Sequence, residues 1–486
     1  MRLSELIQEN HAASAIEISG LSADSRAVQP GYLFAALAGT EQDGAAFIDS
    51  AIEHGAVAVL TAPHVSVRSK SVHVVVDNNP RRKLAMLAAR FYAKQPRMIA
   101  AVTGTNGKTS IAWFVRQIWQ ALGYKAASIG TLGAIAPGFP EMPSLTTPDP
   151  VTLHKLLADY AAAGIDNCVI EASSHGLAQY RLDGVRISAS AFTNLTRDHL
   201  DYHATEEEYF YAKKRLFAEV MPPGRVAVIN TDSQYAPEIE ALCWARGTRI
   251  LGYGESAQDL KLVKVTPEGT GQALVVDYKG ERYEVHLPLA GKFQAMNALA
   301  SVGLVLATTG MPISSIFETL TKLKPVPGRL ELVARHPNGA PIFVDYAHTP
   351  DGLENCLIAL SPYAEGRLIV AFGCGGNRDA GKRPLMGGIA DRMADVVYIT
   401  DDNPRREDPA AIRAQIREAC SGAIEIGDRA EAIRAAIMAL EPKDVLVIAG
   451  KGHEQGQILA DKTIPFNDAE VARAVVAELG DSGEAA

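Results

Sequence analysis

The feature that most constrains this chain of 486 residues is the alternation of short apolar runs with helix-like stretches along its whole length. The apolar runs include MIAAV, NCVIEA, RVAVIN, RLIVAF and DVLVIAG. Such alternation is typical of α/β proteins, in which helices connect parallel strands. A chain of this length also favours two or three domains over one. The sequence therefore predicts an α/β fold with several domains and mainly parallel sheets.

Three segments follow one another along the chain. Residues 1–95 contain the strand candidates GYLFAAL, AVAVLTA and VHVVVD and a predicted helix over 80–94 with Asn79 as its N-cap. Residues 96–328 open with a strand, a glycine loop and a helix, and end with an antiparallel meander (LKLVKV, GQALVVDY, RYEVHLPL) that turns at Lys-Gly. Residues 329–486, after the Pro/Gly-rich KPVPGR, predict a Rossmann-like sheet.

The composition argues against several classes of protein. The net charge of −9 and the pI near 5.8 disfavour a nucleic-acid or anionic-membrane partner. No apolar run approaches the roughly 18 residues that a membrane span needs, and the first residues lack the pattern of a signal peptide. The five cysteines are scattered without a C-x-x-C pair, which favours reduced thiols over a zinc site or a disulfide framework. We therefore expect a cytoplasmic protein that binds neither nucleic acid nor membrane.

The segment AVTGTNGKTS, residues 101–110, predicts a phosphate-binding loop between a strand and a helix. Backbone N–H groups of such a loop bind phosphate oxygens, the Lys108 ammonium can reach the β and γ phosphates, and the Thr109 hydroxyl can bind Mg²⁺. The loop is a variant, because Val102 stands where the standard spacing has a glycine. Its predicted ATP-binding residues are Gly104, Thr105, Asn106, Gly107, Lys108, Thr109 and Ser110. The loop alone leaves a kinase, a switch GTPase, a motor and a ligase open.

Two further clusters carry polar side chains. Glu171 ends an apolar strand, where a carboxylate can bind Mg²⁺ beside the phosphate loop, and several hydrogen-bonding residues follow it within ten positions. The second cluster contains Asn194, Asp198, His199, Asp201 and His203. Because Mg²⁺ prefers oxygen ligands, His199 is an auxiliary ligand at best. The helix after this cluster carries Lys213, which the residue pattern alone predicts to be an exposed helix lysine.

Eight ordered motifs together resemble those of the Mur ligases, which add amino acids to the UDP-linked precursor of bacterial peptidoglycan. The motifs are TGTNGKTS, EASSHGL, TNLTRDHLDYH, YAKKRLF, GKFQAMNALA, PGRLE, DYAHTP and GKGHE. Their order and spacing match the family across nearly the whole chain. The resemblance implies an N-terminal α/β domain for the UDP end, a central ATPase domain and a C-terminal domain that brings the amino acid. It also implies a bacterial enzyme, which we expect to be monomeric, with small-molecule substrates.

The resemblance assigns roles to positions of this sequence. It implies contacts with the UDP precursor at Ser25, Thr40, Glu41, Gln42, Thr146, Thr147, Ser173, Gln179 and Arg181. It implies Mg²⁺ ligands at Thr109, Glu171, His199 and Lys213, the last as a lysine carbamate. It implies nucleotide contacts at Asn297, Arg329, Asp345 and His348. The catalytic candidates are Lys108, Lys213, His199 and His203.

The third segment ends each strand in a polar loop, and in open parallel sheets ligands bind beyond the carboxyl ends of the strands. The loop TDDNPRRED, residues 400–408, has a proline that stiffens the chain before Arg405. Arg378 and Arg405 can each bind a carboxylate, and Asp402 and Glu454 can accept from ammonium groups. The predicted amino-acid site comprises Arg378, Asp402, Asn403, Pro404, Arg405, Gly450 and Glu454. We expect Arg406, Glu407 and Asp408 to be solvated residues that lead into the next helix.

Two arginines and two acids suit meso-2,6-diaminopimelate, and by resemblance D-N-P-R marks the subgroup that adds it. The implied reaction activates the D-Glu γ-carboxylate of the precursor as an acyl phosphate, which the amine of the amino acid then attacks. His203, Asp201 and His348 are equal candidates for the base that deprotonates this amine. The alternatives are ligation of L-lysine, a folate-polyglutamate ligase, and a nucleotide-gated binding module without ligase activity.

Overall fold

The structure is a computed structural model that describes residues 1–8, 16–39, 43–196, 202–203 and 205–484. The chain divides into two compact units. The first comprises Met1–Lys261 and Leu299–Ile316, and the second comprises Leu262–Ala298 and Phe317–Ala486. The boundaries predicted at residues 95 and 328 stay predictions.

The first unit begins with a four-stranded parallel sheet in the order β1-β2-β3-β4. Its strands are β1 (Gly20–Ser22), β2 (Tyr32–Ala35), β3 (Ala58–Thr61) and β4 (His73–Val76). Its helices are α1 (Leu3–Ile7), α2 (Ile48–Glu53) and α3 (Pro80–Tyr92), with short 3-10 turns at Ser25–Ala27 and Gly44–Phe47. The Asn79 side chain accepts from the Arg82 N–H at the start of α3, which confirms the predicted N-cap.

A second sheet follows in the first unit, in the order β7-β6-β8-β5-β9-β10-β11, and only the β6–β7 pair is antiparallel among these neighbours. The strands are β5 (Met98–Thr103), β6 (Ala126–Gly130), β7 (Gly133–Ile135), β8 (Asn167–Glu171), β9 (Ala189–Phe192), β10 (Val226–Asn230) and β11 (Arg249–Gly254). The helices are α4 (Lys108–Ala121), α5 (Pro150–Ala162), α6 (Ser174–Ala178), α7 (Glu206–Arg215) and α8 (Ala236–Ala245), and a π-helical turn, Leu216–Val220, follows α7. The segments that follow β5, β8 and β9 therefore lie side by side at one edge of this sheet.

The three strands of the predicted meander are present as β12 (Leu260–Glu268), β13 (Gly271–Tyr278) and β14 (Glu281–Leu287), which are neighbours in this order, and the β13–β14 pair is antiparallel as predicted. Lys279 and Gly280 connect β13 to β14 and both have positive φ, the backbone that a tight two-residue hairpin turn requires. Helices α9 (Lys292–Thr309) and α10 (Ile313–Leu320) follow, and β12, α9 and α10 each run from one unit into the other.

The second unit contains a six-stranded sheet in the order β15-β16-β20-β17-β18-β19. All its neighbours are parallel except β15 and β16. The strands are β15 (Glu331–Arg335), β16 (Pro341–Asp345), β17 (Leu368–Phe372), β18 (Val396–Ile399), β19 (Ile424–Glu425) and β20 (Val445–Ala449), and a hairpin of β21 (Gly456–Leu459) and β22 (Lys462–Pro465) follows them. The helices are α11 (Pro350–Leu360), α12 (Lys382–Met393), α13 (Pro409–Arg417), α14 (Arg429–Met438) and α15 (Asp468–Glu484). Apolar cores cover both faces of this sheet, as expected for parallel strands flanked by helices.

The five cysteines are free and buried. Within the described part of the chain, no helix has the length and apolar character needed to cross a bilayer.

Candidate active site

The predicted phosphate loop connects β5 to α4, so the strand–loop–helix arrangement is confirmed. Gly104 has φ of +150° and Gly107 has φ of +88°, which are backbone conformations that side chains disfavour. A Cβ at Gly104 would overlap the Thr193 hydroxyl. Since α4 begins at Lys108, directly after the loop, the N-terminus of this helix favours an anion bound at the loop.

The segment that follows β9 fixes the conformation of the phosphate loop. The Asn194 carbonyl accepts from the Thr105 N–H at 2.9 Å, and its side-chain oxygen accepts from the Asn106 N–H at 2.9 Å. The Thr193 hydroxyl donates to the Asn106 carbonyl at 2.7 Å. Both residues lie in the TNLTRDHLDYH motif, but only Asn194 was among the residues that the sequence singled out. Hydrogen bonds from this segment thus fix the loop before any ligand binds, which favours phosphate binding without further rearrangement.

Two lysines meet at the carbonyl of Gly104. Lys108 Nζ donates to it at 2.9 Å and to the Thr105 carbonyl at 2.7 Å. Lys213 Nζ, on α7, donates to the same Gly104 carbonyl at 2.8 Å and lies 4.2 Å from the centre of the Tyr209 ring. Lys213 is only 1% exposed. The exposed helix lysine that the residue pattern suggested is therefore wrong, because α7 turns this side chain toward the phosphate loop.

Glu171, at the end of β8, is a buried carboxylate surrounded by donors. Its two oxygens accept from the Thr109 hydroxyl at 3.0 Å, the Thr131 N–H at 2.8 Å and the Thr131 hydroxyl at 3.1 Å. Burial raises its pKa, and the Lys108 charge and these hydrogen bonds offset only part of that effect. A nearby cation would favour its ionised form. The oxygen donors of Thr109 and Glu171 therefore fit Mg²⁺, which prefers oxygen ligands.

Most of the side chains predicted to contact the UDP precursor are linked to one another or to Glu171 by hydrogen bonds. The Thr147 hydroxyl donates to the Glu171 carbonyl at 2.7 Å, and Ser173 caps α6 by accepting from the Gly176 N–H. Arg181 donates to the Thr147 carbonyl at 2.6 Å and to the Gln179 side chain at 2.7 Å. The Thr146 hydroxyl lies 3.1 Å from that of Thr131, and Ser25 lies buried in the 3-10 turn after β1. Five of these residues, Thr146, Thr147, Ser173, Gln179 and Arg181, are thus brought to the edge of the sheet near Glu171.

An aromatic cluster extends this edge toward the phosphate loop. The His175 ring lies 4.0 Å from that of Tyr202 and 5.7 Å from that of His203, and the His203 ring lies 5.3 Å from that of Tyr209. The Tyr209 hydroxyl is 3.2 Å from the Thr105 hydroxyl. The base candidate His203 is therefore buried between α6 and α7. The predictions for Thr40, Glu41, Gln42, Asp198, His199 and Asp201 lie outside the described residues.

The nucleotide-contact candidates of the second unit include an acid and a guanidinium. Asp345, at the end of β16, accepts from the Leu330 N–H at 2.6 Å and the Ala347 N–H at 2.8 Å. Burial raises its pKa, against the influence of Arg329 and of these two amides. Arg329 lies over the Tyr346 ring at 4.4 Å. His348 Nδ1 is 2.8 Å from the Tyr346 carbonyl, and the Asn297 amide on α9 donates to Gln294 at 3.1 Å.

The sequence predicts that the polar loops after four strands of the second unit converge at one rim, and hydrogen bonds and a close approach join the loops after β17, β18 and β20. Asn403, after β18, donates to Glu454, after β20, at 2.9 Å. Lys451 Nζ donates to Asn403 at 3.0 Å and to Glu454 at 2.8 Å, and Lys451 is fully buried. Lys451 was not among the predicted residues, although a lysine directly after a buried strand is an available signal. A Cβ at Gly450 would lie 2.7 Å from an Asp402 carboxylate oxygen, which brings this pair of predictions together.

Arg405 reaches the same rim from a left-handed backbone conformation, with φ of +51°. Its N–H donates to the Ile458 carbonyl at 3.0 Å, and its guanidinium donates to the Gly376 carbonyl at 2.9 Å. Pro404 alone therefore does not aim this side chain, because β21 and the loop after β17 also hold it. Arg378, in that loop, is exposed, and its Cγ lies 3.8 Å from the position of a Cβ at Gly375.

The three residues after Arg405 differ from one another. Arg406 forms an exposed ion pair with Asp461, which agrees with the solvated position predicted for it. Asp408 caps α13 by accepting from the Ala410 N–H at 3.0 Å. Glu407 is a correction to the prediction of a solvated side chain, because it accepts from the Asn377 N–H and pairs with the buried Arg383 at 2.9 Å.

Three family models match the chain in order. They are the Mur ligase family catalytic domain over residues 17–92, the Mur ligase middle domain over 102–305, and the Mur ligase glutamate ligase domain over 328–452. The chain belongs to the Mur ligase family. Its fold is accordingly the three-domain α/β fold of the Mur ligases, as the motifs led us to expect.

Individual Mur ligases are similar over nearly the full chain. A UDP-N-acetylmuramoyl-L-alanyl-D-glutamate–2,6-diaminopimelate ligase of Bradyrhizobium diazoefficiens is 52% identical over 98% of this chain and 99% of its own length. The enzyme of the same name from Mesorhizobium japonicum is also 52% identical, over 97% of each chain. A solved structure with that name is 32% identical, with a TM-score of 0.77 over 99% of both chains.

Proposed function

We propose that the chain is an ATP-dependent amide ligase that adds meso-2,6-diaminopimelate to the D-Glu γ-carboxylate of UDP-N-acetylmuramoyl-L-Ala-D-Glu, in the synthesis of peptidoglycan precursors. The observation that carries this proposal is the rim of the second unit, where the loop after β18, which holds Asp402 and Arg405, is joined to the loop after β20 by the hydrogen bond from Asn403 to Glu454. Relatives named for this activity, about 50% identical over nearly the whole chain, support it independently.

The phosphate loop would serve the first chemical step. The γ-carboxylate of the precursor attacks the γ-phosphorus of ATP, its bond to the bridging oxygen breaks, and an acyl phosphate and ADP result. This step depends on positioning and charge neutralisation. Lys108 and the N-terminal end of α4 would supply both, next to a loop that Asn194 and Thr193 already hold in place.

Thr109 and Glu171 would hold Mg²⁺, and His199 would add to this set. When bound, Mg²⁺ neutralises charge on phosphate oxygens. The buried Lys213 is the candidate for a carbamate, in which its neutral amine adds to CO₂ and loses a proton. Its burial beside the Gly104 carbonyl supports a role at the phosphate loop rather than at the surface.

The rim would recognise the amino acid. Diaminopimelate has two carboxylates and two amines. Arg378 and Arg405 suit the carboxylates, and Asp402 and Glu454 suit an ammonium group. L-Lysine lacks the second carboxylate, so it would leave one arginine without an anion. The attacking amine must be neutral; it adds to the acyl carbon, and the tetrahedral intermediate collapses to the amide and phosphate.

The test is an amino-acid panel with purified protein, UDP-N-acetylmuramoyl-L-Ala-D-Glu and Mg-ATP. Phosphate release is measured with diaminopimelate, L-lysine, L-glutamate and no amino acid, and the product is identified by mass. We expect release and a tripeptide product with diaminopimelate. Preference for L-lysine would reassign the substrate, and ATP turnover that ignores the amino acid would remove the ligase assignment.

A further inference from the structure

The loops that carry the two arginines of the rim are joined by a set of contacts outside the proposed amino-acid site. The first loop follows β17 and includes residues 375–377, and the second follows β18 and includes residues 403–407. Glu407 accepts from the Asn377 N–H with one oxygen and pairs with Arg383 at 2.9 Å with the other. Arg383 also donates to the Gly375 carbonyl at 3.3 Å. We call Glu407, Arg383 and these backbone contacts the clamp.

The backbones of the two loops are bonded directly as well. The Gly376 N–H donates to the Asn403 carbonyl at 2.9 Å, and the Arg406 N–H donates to the Asn377 side chain at 3.0 Å. A Cβ at Gly376 would overlap the Pro404 carbonyl, so the two chains approach closely at that point. The loops therefore behave as one piece, and a shift of either would move both arginines.

Asn377 and Arg405, one in each of the two loops, have strained backbones. Asn377 has φ of +52° and Arg405 has φ of +51°, a region that residues other than glycine rarely adopt. Such conformations persist only where surrounding contacts determine them. Glu407 contacts the N–H of Asn377 itself, and the Gly376 carbonyl, one residue earlier, accepts from the Arg405 guanidinium.

Arg383 anchors the clamp to the core of the unit. It lies on α12, is 2% exposed, and also donates to Gln415 on α13 at 2.8 Å. A buried guanidinium requires a nearby anion, and Glu407 supplies it. The pKa of Glu407 lies below its ordinary value, first because of the Asn377 N–H and then because of Arg383, so the side chain is ionised at neutral pH.

We infer that Glu407, through Arg383 and Asn377, is a positioning residue that sets the spacing of Arg378 and Arg405, and so the preference for an amino acid with two carboxylates. This inference rests on the proposed function. Glu407 itself does not contact the reacting groups. Its loss would weaken recognition of the amino acid and leave ATP binding unchanged.

The experiment compares Glu407→Ala, the conservative Glu407→Gln and the control Arg406→Ala in the full chain. Arg406 is the neighbouring residue, and its side chain pairs with Asp461 at the exposed surface. Hydrogen exchange of the free protein is measured over residues 373–379, together with the KM for diaminopimelate, for L-lysine and for ATP.

For Glu407→Ala we expect exchange over residues 373–379 and the KM for diaminopimelate each to rise about tenfold or more, which is the size expected from the loss of a charge-assisted hydrogen bond. The KM for ATP should stay within about twofold of the parent value, because the lost hydrogen bond lies outside the phosphate loop. The preference over L-lysine should fall. Glu407→Gln keeps one acceptor and should lie between, and Arg406→Ala should match the parent.

Unchanged exchange in Glu407→Ala would overturn the clamp. Raised exchange with an unchanged KM for diaminopimelate would overturn its role in recognition. Equal rises for ATP and diaminopimelate, with a lower melting temperature, would make the role purely structural and so also overturn the inference. If the parent does not ligate diaminopimelate at all, the proposed function fails, and the exchange measurement still decides whether the clamp exists.

Discussion

The ion pair of Arg429 and Asp468 allows a sharp test of how the rim is supported. Arg429 begins α14 and Asp468 begins α15, and both side chains are fully buried. Two hydrogen bonds of 2.7 Å join them. Arg429 also donates to the carbonyls of Ala449 at 3.0 Å and Asp401 at 3.4 Å. These carbonyls lie directly before the loops that contain Glu454 and Asp402.

The perturbation is Asp468→Asn, which preserves shape and removes the negative charge. The amide can accept from only one of the two N–H groups that the carboxylate satisfies, and the guanidinium stays buried. Breaking such a buried pair costs about 3–5 kcal/mol. Because tenfold corresponds to about 1.4 kcal/mol, local opening should increase by at least about 100-fold.

A matched control lies on the same two helices. Arg434 on α14 binds Glu478 on α15 at 2.7 and 3.1 Å, and these side chains are 41% and 58% exposed. Water and salt screen such a pair, so Glu478→Gln should change little.

The assay is hydrogen exchange by mass spectrometry over β20 and the first turn of α15. Local exchange suits a chain of several domains, whose global unfolding need not be two-state. We expect fast exchange in Asp468→Asn and parent-like exchange in Glu478→Gln. Similar exchange in the two variants would refute the argument that the buried ion pair contributes more to local stability than the exposed one.

Three further predictions concern single residues. Arg405→Ala should raise the KM for diaminopimelate about tenfold or more, from the loss of charge-assisted hydrogen bonds, with the KM for ATP as control; an unchanged amino-acid KM would remove Arg405 from the site. Lys213→Ala should abolish turnover with the circular dichroism spectrum preserved, and a small carboxylic acid should restore part of it; full activity without one would refute a catalytic role. Asp444→Asn should lower stability by about 1–2 kcal/mol at neutral pH, allowing for the partial exposure of its partner Arg367. Burial alone would raise the pKa of Asp444, but the hydrogen bonds from Arg367 lower it below the ordinary value. The stability that ionised Asp444 contributes is therefore fully present above the ordinary carboxyl pKa and is lost as the pH falls through the lowered pKa. Urea midpoints of parent and variant should therefore converge in acid, and a constant difference would contradict the assignment.

Local signals in the sequence were enough for much of the fold. The alternation of apolar runs predicted the parallel sheets, and Asn79 before Pro80 predicted a helix start. The Lys-Gly pair predicted the β13–β14 turn, whose two positive φ angles fit that dipeptide. The short strands β1 and β19 were missed, since three and two residues give no periodicity to detect.

The sequence predicts those residues of the candidate site that directly follow a buried strand. It does not predict residues whose role depends on partners far away in the sequence. Asp402, Asn403 and Glu454 come after buried strands, so the rule for parallel sheets brings them together. Glu407 resembles any solvated acid in its own segment. Its partners, Asn377 and Arg383, are more than twenty positions earlier in the sequence, and no local pattern indicates their approach.

The position of β20 in its sheet has a consequence for the order of synthesis. β20 lies between β16 and β17, although it is the last of the six strands in the sequence. The sheet therefore cannot close until β20 has been synthesised, even though domains generally fold from the N-terminus as they are made. The amino-acid pocket would be completed only after the phosphate loop, so a truncated nascent chain could bind nucleotide without being able to use it for ligation.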